Sequence, residues 1–179
     1  MQRIVQVKRR PPLDSVIGVL LVDAPGLVVV SEISGSLDPD GYCFLPKSDL
    51  VEIEDDFEHL DFHVAAASVW DRVEPDIPGL DLQGGYFELM QSMSREQSLI
   101  AIYPEVSDPE ICFVGTVRRV LSDRIGFTNL SSKGVWVPET QTVKIGEITK
   151  IELSTRYLRS LQGVIAGWPP LPHCGRGRG

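Results

Sequence analysis

A chain of 179 residues with 42% hydrophobic content has room for one large or two small domains and can build a core, which excludes a wholly disordered protein. Its net charge of −8 is uneven: residues 1–10 carry four basic groups and no acid, residues 11–98 carry 18 acids against 3 bases, and residues 99–179 carry 7 acids against 10 bases. Three cysteines, Cys43, Cys112 and Cys174, are far apart, odd in number and without a CxxC pair, which argues against a disulfide framework or a zinc site and fits a reducing compartment.

The chain opens on MQRIVQVKRRPP. The apolar stretch behind it, VIGVLLVDAPGLVVV, is broken by Asp23, Pro25 and Gly26, so it is not the continuous core of a secretory signal, and no apolar run is long enough to cross a bilayer. A soluble, cytoplasmic protein is expected. IVQVKRR reads as a first strand from its alternation, and SVIGVLLVD as a second, with Gly18 marking a bulge or sharp bend. The turn APG leads into a third strand, LVVVSEIS, and the polar loop GSLDPDG follows. YCFLP and DLVEIE are the next strands, the latter with Leu50 and Ile53 turned inward. DDFEHLDFHVAAASVW then reads as a helix with Asp55 and Asp56 at its N-terminus.

EPDIPGLD is a Pro/Gly-rich linker. DLQGGYFELMQSMSREQ is an amphipathic helix whose stripe is Leu82, Tyr86, Leu89, Met90 and Met93. The strand pattern then recurs: LIAIYPEV, CFVGTVRRVL, the turn SDR, IGFTNLS, the loop SKGVWVPETQ, TVKI and EITKIE. STRYLRSLQGVIAGW is a last helix with Ser154 as N-cap, and PPLPHCGRGRG is a disordered tail.

The recurrence keeps a nearly constant offset. At 97 residues, Pro12 falls on Pro109, Gly18 on Gly115 and Ser34 on Ser131, without a gap from Arg3 to Ser34. At 98, Ile53 falls on Ile151, Glu54 on Glu152, Leu60 on Leu158 and Trp70 on Trp168. The common order and offset point to an internal duplication. Residues 1–70 form one unit, 71–98 a linker and helix, 99–168 a second unit and 169–179 a tail. Five short strands with flanking helices in each unit give a mainly β fold with helices (β+α), in which two tandem small five-stranded barrels pack on each other.

These units resemble the Sm-like or SH3-like barrel class. Through LDPDGYCFLPKSDL (37–50) and SDPEICFVGTV (107–117) the chain also resembles uncharacterised bacterial proteins built from two such repeats, over residues 3–166. That resemblance implies a fold and no established activity. DRIGFTNL (123–130) resembles the Asp…Asn pattern of an Sm motif, but the first unit has Glu32 where the second has Asn129, and Glu32 would repel phosphate.

Motifs for chemistry are few. His59 and His63 in HLDFH stand four apart on the expected helix, but Leu60 occupies the place of the glutamate that a zinc hydrolase needs, and no third ligand is apparent. They read as partly exposed histidines, with no metal and no cofactor. DPDG (38–41) begins like a calcium loop but continues apolar, so it reads as a turn. Cys112 reads as a small buried residue inside a strand, and Cys174, beside His173, lies in the tail with no base positioned for it. There is no GxSxG, phosphate-cradling loop or dinucleotide fingerprint, which argues against an enzyme.

The leading expectation is a non-catalytic protein-binding module with an acidic face of Glu32, Asp38, Asp40, Asp49, Glu52, Glu54, Asp55, Asp56, Glu58 and Asp61. Such a field speeds association with a basic protein. By analogy with small acidic bacterial proteins, the partner is a basic nuclease-type toxin and the chain its immunity protein, neutralising it by occlusion. The alternative is an RNA- or nucleic-acid-binding barrel using Arg118, Arg119, Arg124, Arg156 and Arg159, and a third is a structural barrel that forms homo-oligomers through its edge strands. Glu52 in the first unit corresponds to Lys150 in the second, so the two outward surfaces are expected to differ.

Overall fold

A computed structural model describes residues 2–33, 35, 37–67, 70, 77, 79–131 and 133–165. The fold is mainly β: among these residues ten strands form one large antiparallel sheet, accompanied by three α-helices. The first half contributes β1 (Ile4–Arg9), β2 (Val16–Asp23), β3 (Leu27–Glu32), β4 (Tyr42–Pro46) and β5 (Leu50–Glu54). The second contributes β6 (Ile100–Tyr103), β7 (Phe113–Val120), β8 (Arg124–Leu130), β9 (Trp136–Lys144) and β10 (Lys150–Leu153). Helix α1 (Leu60–Ala67) follows β5, α2 (Tyr86–Glu96) precedes β6, and α3 (Arg156–Ile165) follows β10.

Across the sheet the order is β5-β1-β2-β3-β4-β10-β6-β7-β8-β9. Each half therefore has the same internal order, and the halves join where β4 pairs with β10. The sheet is open; among the described residues no pairing links β4 to β5 or β9 to β10.

The ladder repeats along with the order. Gly18 pairs with Glu32 and Gly115 with Asn129, both shifted by 97 (115 − 18 and 129 − 32). The register breaks between Leu20 and Val22 in the first half and between Val117 and Arg119 in the second, again 97 apart. Leu27 pairs with Pro46 and Arg124 with Lys144, shifts of 97 and 98. The first strands depart from this offset. Val5 pairs with Gly18 while Ile100 pairs with Gly115, and Val7 pairs with Ile53 while Ile102 pairs with Ile151. Both comparisons place β1 on β6 at an offset of 95, so the gapless match from Arg3 needs a two-residue correction. The glycines also have a different reason from the expected bulge, which lies two or three residues farther on. A Cβ at Gly18 would sit 2.5 Å from the Ser31 carbonyl oxygen, and one at Gly115 would meet the matching Thr128 carbonyl and lie 2.9 Å from the Phe127 ring. Only glycine permits that close strand approach.

Alternation along the central strands divides the core between the two faces. Leu27, Val29 and Phe44 join Ile100, Ile102, Val117, Phe127 and Ile151 in one cluster that runs across the joint. Helix α2 covers it with Tyr86, Leu89, Met90 and Met93, the expected stripe, and Leu82 packs at its margin. The Tyr86 hydroxyl donates to the Phe44 carbonyl at 2.6 Å, tying the helix to the first half. On the other face, Val5, Val7, Val28, Val30, Cys43 and Leu45 form a cluster in the first half, and Leu99, Ala101, Leu130 and Leu158 form one in the second. Burial on both faces explains the unbroken apolar run LVVV in β3.

Several local expectations are corrected. The first helix starts at Leu60, so Asp55 and Asp56 lie ahead of it. Residues 136–141, read as loop, belong to β9. The last helix is capped by Thr155, whose Oγ1 accepts from Leu158 N at 3.3 Å, while Ser154 adopts a left-handed backbone with φ 55°. Cys112 precedes β7 and is exposed, not buried within a strand. Leu50 and Ile53 do both pack inward, because the β1–β5 register shifts at Arg9 and leaves Val51 bulged out and 62% exposed. The Trp168 match, the tail with Cys174 and half of the linker EPDIPGLD lie outside the described residues. No helix among the described residues is long and apolar enough to cross a membrane.

Candidate functional site: a polar seam and an acidic edge

The β4–β10 joint is apolar on one face and polar on the other. Ile151 and Leu153 of β10 point into the core beneath α2, so Lys150 and Glu152 project from the opposite face, between the two smaller apolar clusters. Lys150 is mostly buried and lies 3.0 Å from Glu152 and 3.9 Å from Glu32. Its ammonium sits 4.3 Å above the ring of Tyr103, whose hydroxyl donates to Glu152 at 2.8 Å. Burial raises the Glu32 carboxyl above its ordinary range, and Glu152 adds to that shift against the opposing charge of Lys150. Burial alone would lower Lys150, but Cys43, Glu152 and Glu32 around it together prevail and hold the ammonium above its ordinary range. Burial also raises Tyr103 and, strongly, the Cys43 thiol, so both stay neutral.

Charged groups close both ends of this strip. At one end Arg9 of β1 has only 1% of its side chain exposed and pairs with Glu105, just beyond β6, while also donating to the Thr149 carbonyl at 3.3 Å. Thr149 donates its hydroxyl to Glu105. Burial pushes the Glu105 carboxyl up, but the hydrogen bonds from Arg9 and Thr149 and the nearby cations prevail and hold it below the ordinary range. At the other end α3 meets the loop after β3. Arg156 pairs with Asp38 at 2.8 Å, Arg159 lies 3.7 Å from Asp40, and Asp40 accepts from Arg156 N at 2.7 Å, satisfying a donor at the helix N-terminus.

The expected acidic face is thus divided. Glu32, Asp38 and Asp40 belong to the seam and are bound to cations of the second half. Glu54 pairs with Lys8, and Asp55 pairs with Arg3 at 2.7 Å. Asp49 is half-buried and accepts from the Ser48 hydroxyl at 3.2 Å. Glu52, Asp56, Glu58 and Asp61 remain exposed along the β5 edge and the turn into α1, beside the exposed Val51 and Phe62. No family model, curated protein or solved structure matches the chain.

The basic set is dispersed as well. Arg118 occupies the β7 irregularity and donates to Gln97 at 2.7 Å. Arg119 lies against Gly126, and Arg124 pairs with Asp123 at 3.0 Å. Arg156 and Arg159 face the acids of the first half, so the structure does not gather the five arginines on one surface. His59 precedes α1 with a left-handed backbone (φ 68°) and lies 3.4 Å from Glu58. His63 packs beside Phe57 and Phe62, its Nδ1 buried without a hydrogen-bond partner among the described residues. No group of three His, Cys, Asp or Glu among the described residues is placed to hold a metal.

Sequence reasoning missed the seam's central residues. Lys150 sits in an alternating strand at a position that reads as outward, and Arg9 sits in the middle of the basic run Lys8-Arg9-Arg10, which reads as surface. The one signal available was the exchange of Glu52 for Lys150 at equivalent positions. Its cause is now visible: β5 is a sheet edge, whereas β10 is enclosed between β4 and β6.

Proposed function

We propose that the chain is a non-catalytic protein-binding module, derived from two copies of a small Sm-like or SH3-like barrel unit, whose acidic first half holds a basic protein. The observation that carries this reading is the β5 edge. Among the described residues its strand leaves one side of its backbone unpaired, and Glu52, Asp56, Glu58 and Asp61 stand exposed beside it with no lysine or arginine of those residues in an ion pair with them. Val51 and Phe62, 62% and 56% exposed, give the same region an apolar anchor. An acidic rim around apolar anchors suits a cationic partner: charge steers the encounter and the anchors slow dissociation.

The partner class that fits is a basic nuclease-type protein, with the chain acting as its immunity protein and covering phosphate-binding groups with carboxylates. Co-purification with the product of the adjacent gene tests the reading. A salt-sensitive complex that weakens when Glu52 and Asp61 are replaced by lysine supports it. Absence of a basic protein domain in the neighbouring product, with empty pull-downs even at low salt, refutes it.

A further inference from the structure

A cavity of about 320 Å³ opens at the seam, lined by Glu32, Asp40, Tyr103, Glu152, Thr155 and Tyr157. The first two residues come from the first half and the other four from the second, so neither half forms it alone. Lys150 reaches Glu152 and Glu32, and Arg159 stands near Asp40. Three lining carboxylates therefore meet two cations, and the wall keeps a negative excess. Adding the adjoining Asp38–Arg156 pair leaves that difference unchanged. The raised Glu32 carboxyl is the electrostatic consequence of burial beside another acid. Tyr103 already holds one ammonium over its ring, while Tyr157 is 58% exposed and offers a further aromatic surface.

We propose that this seam cavity binds a monovalent organic cation, an alkylguanidinium or alkylammonium, between the Tyr157 ring and the carboxylates of Glu32, Asp40 and Glu152. Aromatic surface and carboxylates together select a cation with an apolar stem over a neutral molecule of the same shape. A free small amine and an arginine or lysine side chain share this chemistry. The cavity is separate from the β5 edge, so the proposal does not depend on the function assigned to that edge.

The test is a titration of the full chain at low salt, following by NMR the ring signals of Tyr103 and Tyr157, with Tyr103 as the reporter in the Tyr157→Ala variant. One arm uses n-butylguanidinium, a second an arginine tripeptide blocked at both ends, and n-butylurea serves as the neutral isostere. Saturable shifts are expected with the cations and none with the urea. Tyr157→Ala should weaken binding about two- to fivefold, the scale of an exposed cation–aromatic contact. Glu32→Gln should weaken it about tenfold, the scale of a charged hydrogen bond. Tighter binding of the peptide assigns the cavity to a protein side chain, and equal or weaker binding to a free small cation. Absence of saturable shifts, equal binding of the urea, or wild-type affinity in the folded Tyr157→Ala variant overturns the proposal.

Discussion

Replacing Gly115 by alanine should destabilise the protein more than any other single added methyl group in the sheet. At the equivalent Gly18 the new Cβ would stand 2.5 Å from a backbone oxygen of the paired strand. Even close C–H···O contacts in sheets keep carbon and oxygen about 3.3 Å apart, so the overlap there is about 0.8 Å. At Gly115 the approach to Thr128 is closer still, and the Phe127 ring blocks a second direction at 2.9 Å. Neither obstacle moves easily: one is ladder backbone and the other is a fully buried ring. Overpacking costs about 1–3 kcal/mol, and a rigid backbone obstacle belongs at the top of that range. Loss of glycine's unfolded-state freedom returns about 0.4–1 kcal/mol, leaving a net loss of about 2–2.6 kcal/mol. With a urea slope of about 2 kcal/mol/M, the unfolding midpoint should fall by about 1–1.3 M with the slope unchanged. Gly163 is the control. A Cβ there meets nothing within 4 Å, and in mid-helix α3 Gly163→Ala should be neutral or stabilising by up to about 1 kcal/mol. A Gly115→Ala midpoint within 0.2 M of wild type, on the order of the noise in such data, would refute the close-approach argument.

Three further outcomes follow from the seam. Glu105→Gln strands the buried Arg9 guanidinium and should cost about 3 kcal/mol in urea unfolding, whereas loss of an exposed pair such as Arg124–Asp123 should be close to neutral. The pH dependence should have two opposed parts. Glu105 is depressed, so its stabilisation is present above its unfolded value near 4.5 and is lost as the pH falls through its lower folded value; Glu32 is raised, so acidification from neutrality first protonates the folded state and relieves its burial. Glu32→Gln should remove the gain above pH 4.5 and leave the loss below it, as read by thermal unfolding across pH. Tyr86→Phe should cost about 1–2 kcal/mol, because the buried Phe44 carbonyl loses its donor from α2.

The repeat was legible because its signals are local: glycines at the same ladder position, recurring apolar pairs and a helix after each fifth strand. The register of the first strand was not. IVQV and IAIY both alternate, and a slip of two residues keeps every side chain on its own face, so the hydrophobic pattern cannot distinguish offsets of 95 and 97. Ser154 and Thr155 are both good caps, and the left-handed turn at Ser154 selects the second. The joint was hidden for a different reason. Whether β4 finds β5 or β10 depends on contacts that neither strand spells out in its own residues. The acidic and basic sets read from the sequence as rival surfaces meet in part across the seam, Asp38 with Arg156 and Asp40 with Arg159, more than a hundred residues apart along the chain.

The proposed function is tested most directly by the affinity of the intact chain for the basic protein encoded beside it, at low and high salt. The comparison is between wild type and Glu52→Gln, Asp56→Asn and Asp61→Asn combined. Each exposed rim charge should contribute modestly, so the triple variant should bind about ten- to a hundredfold more weakly at low salt and differ little from wild type at high salt. The association rate should carry much of that change. Undiminished binding by the folded triple variant, or no binding by wild type at low salt, would contradict the assignment of the acidic edge.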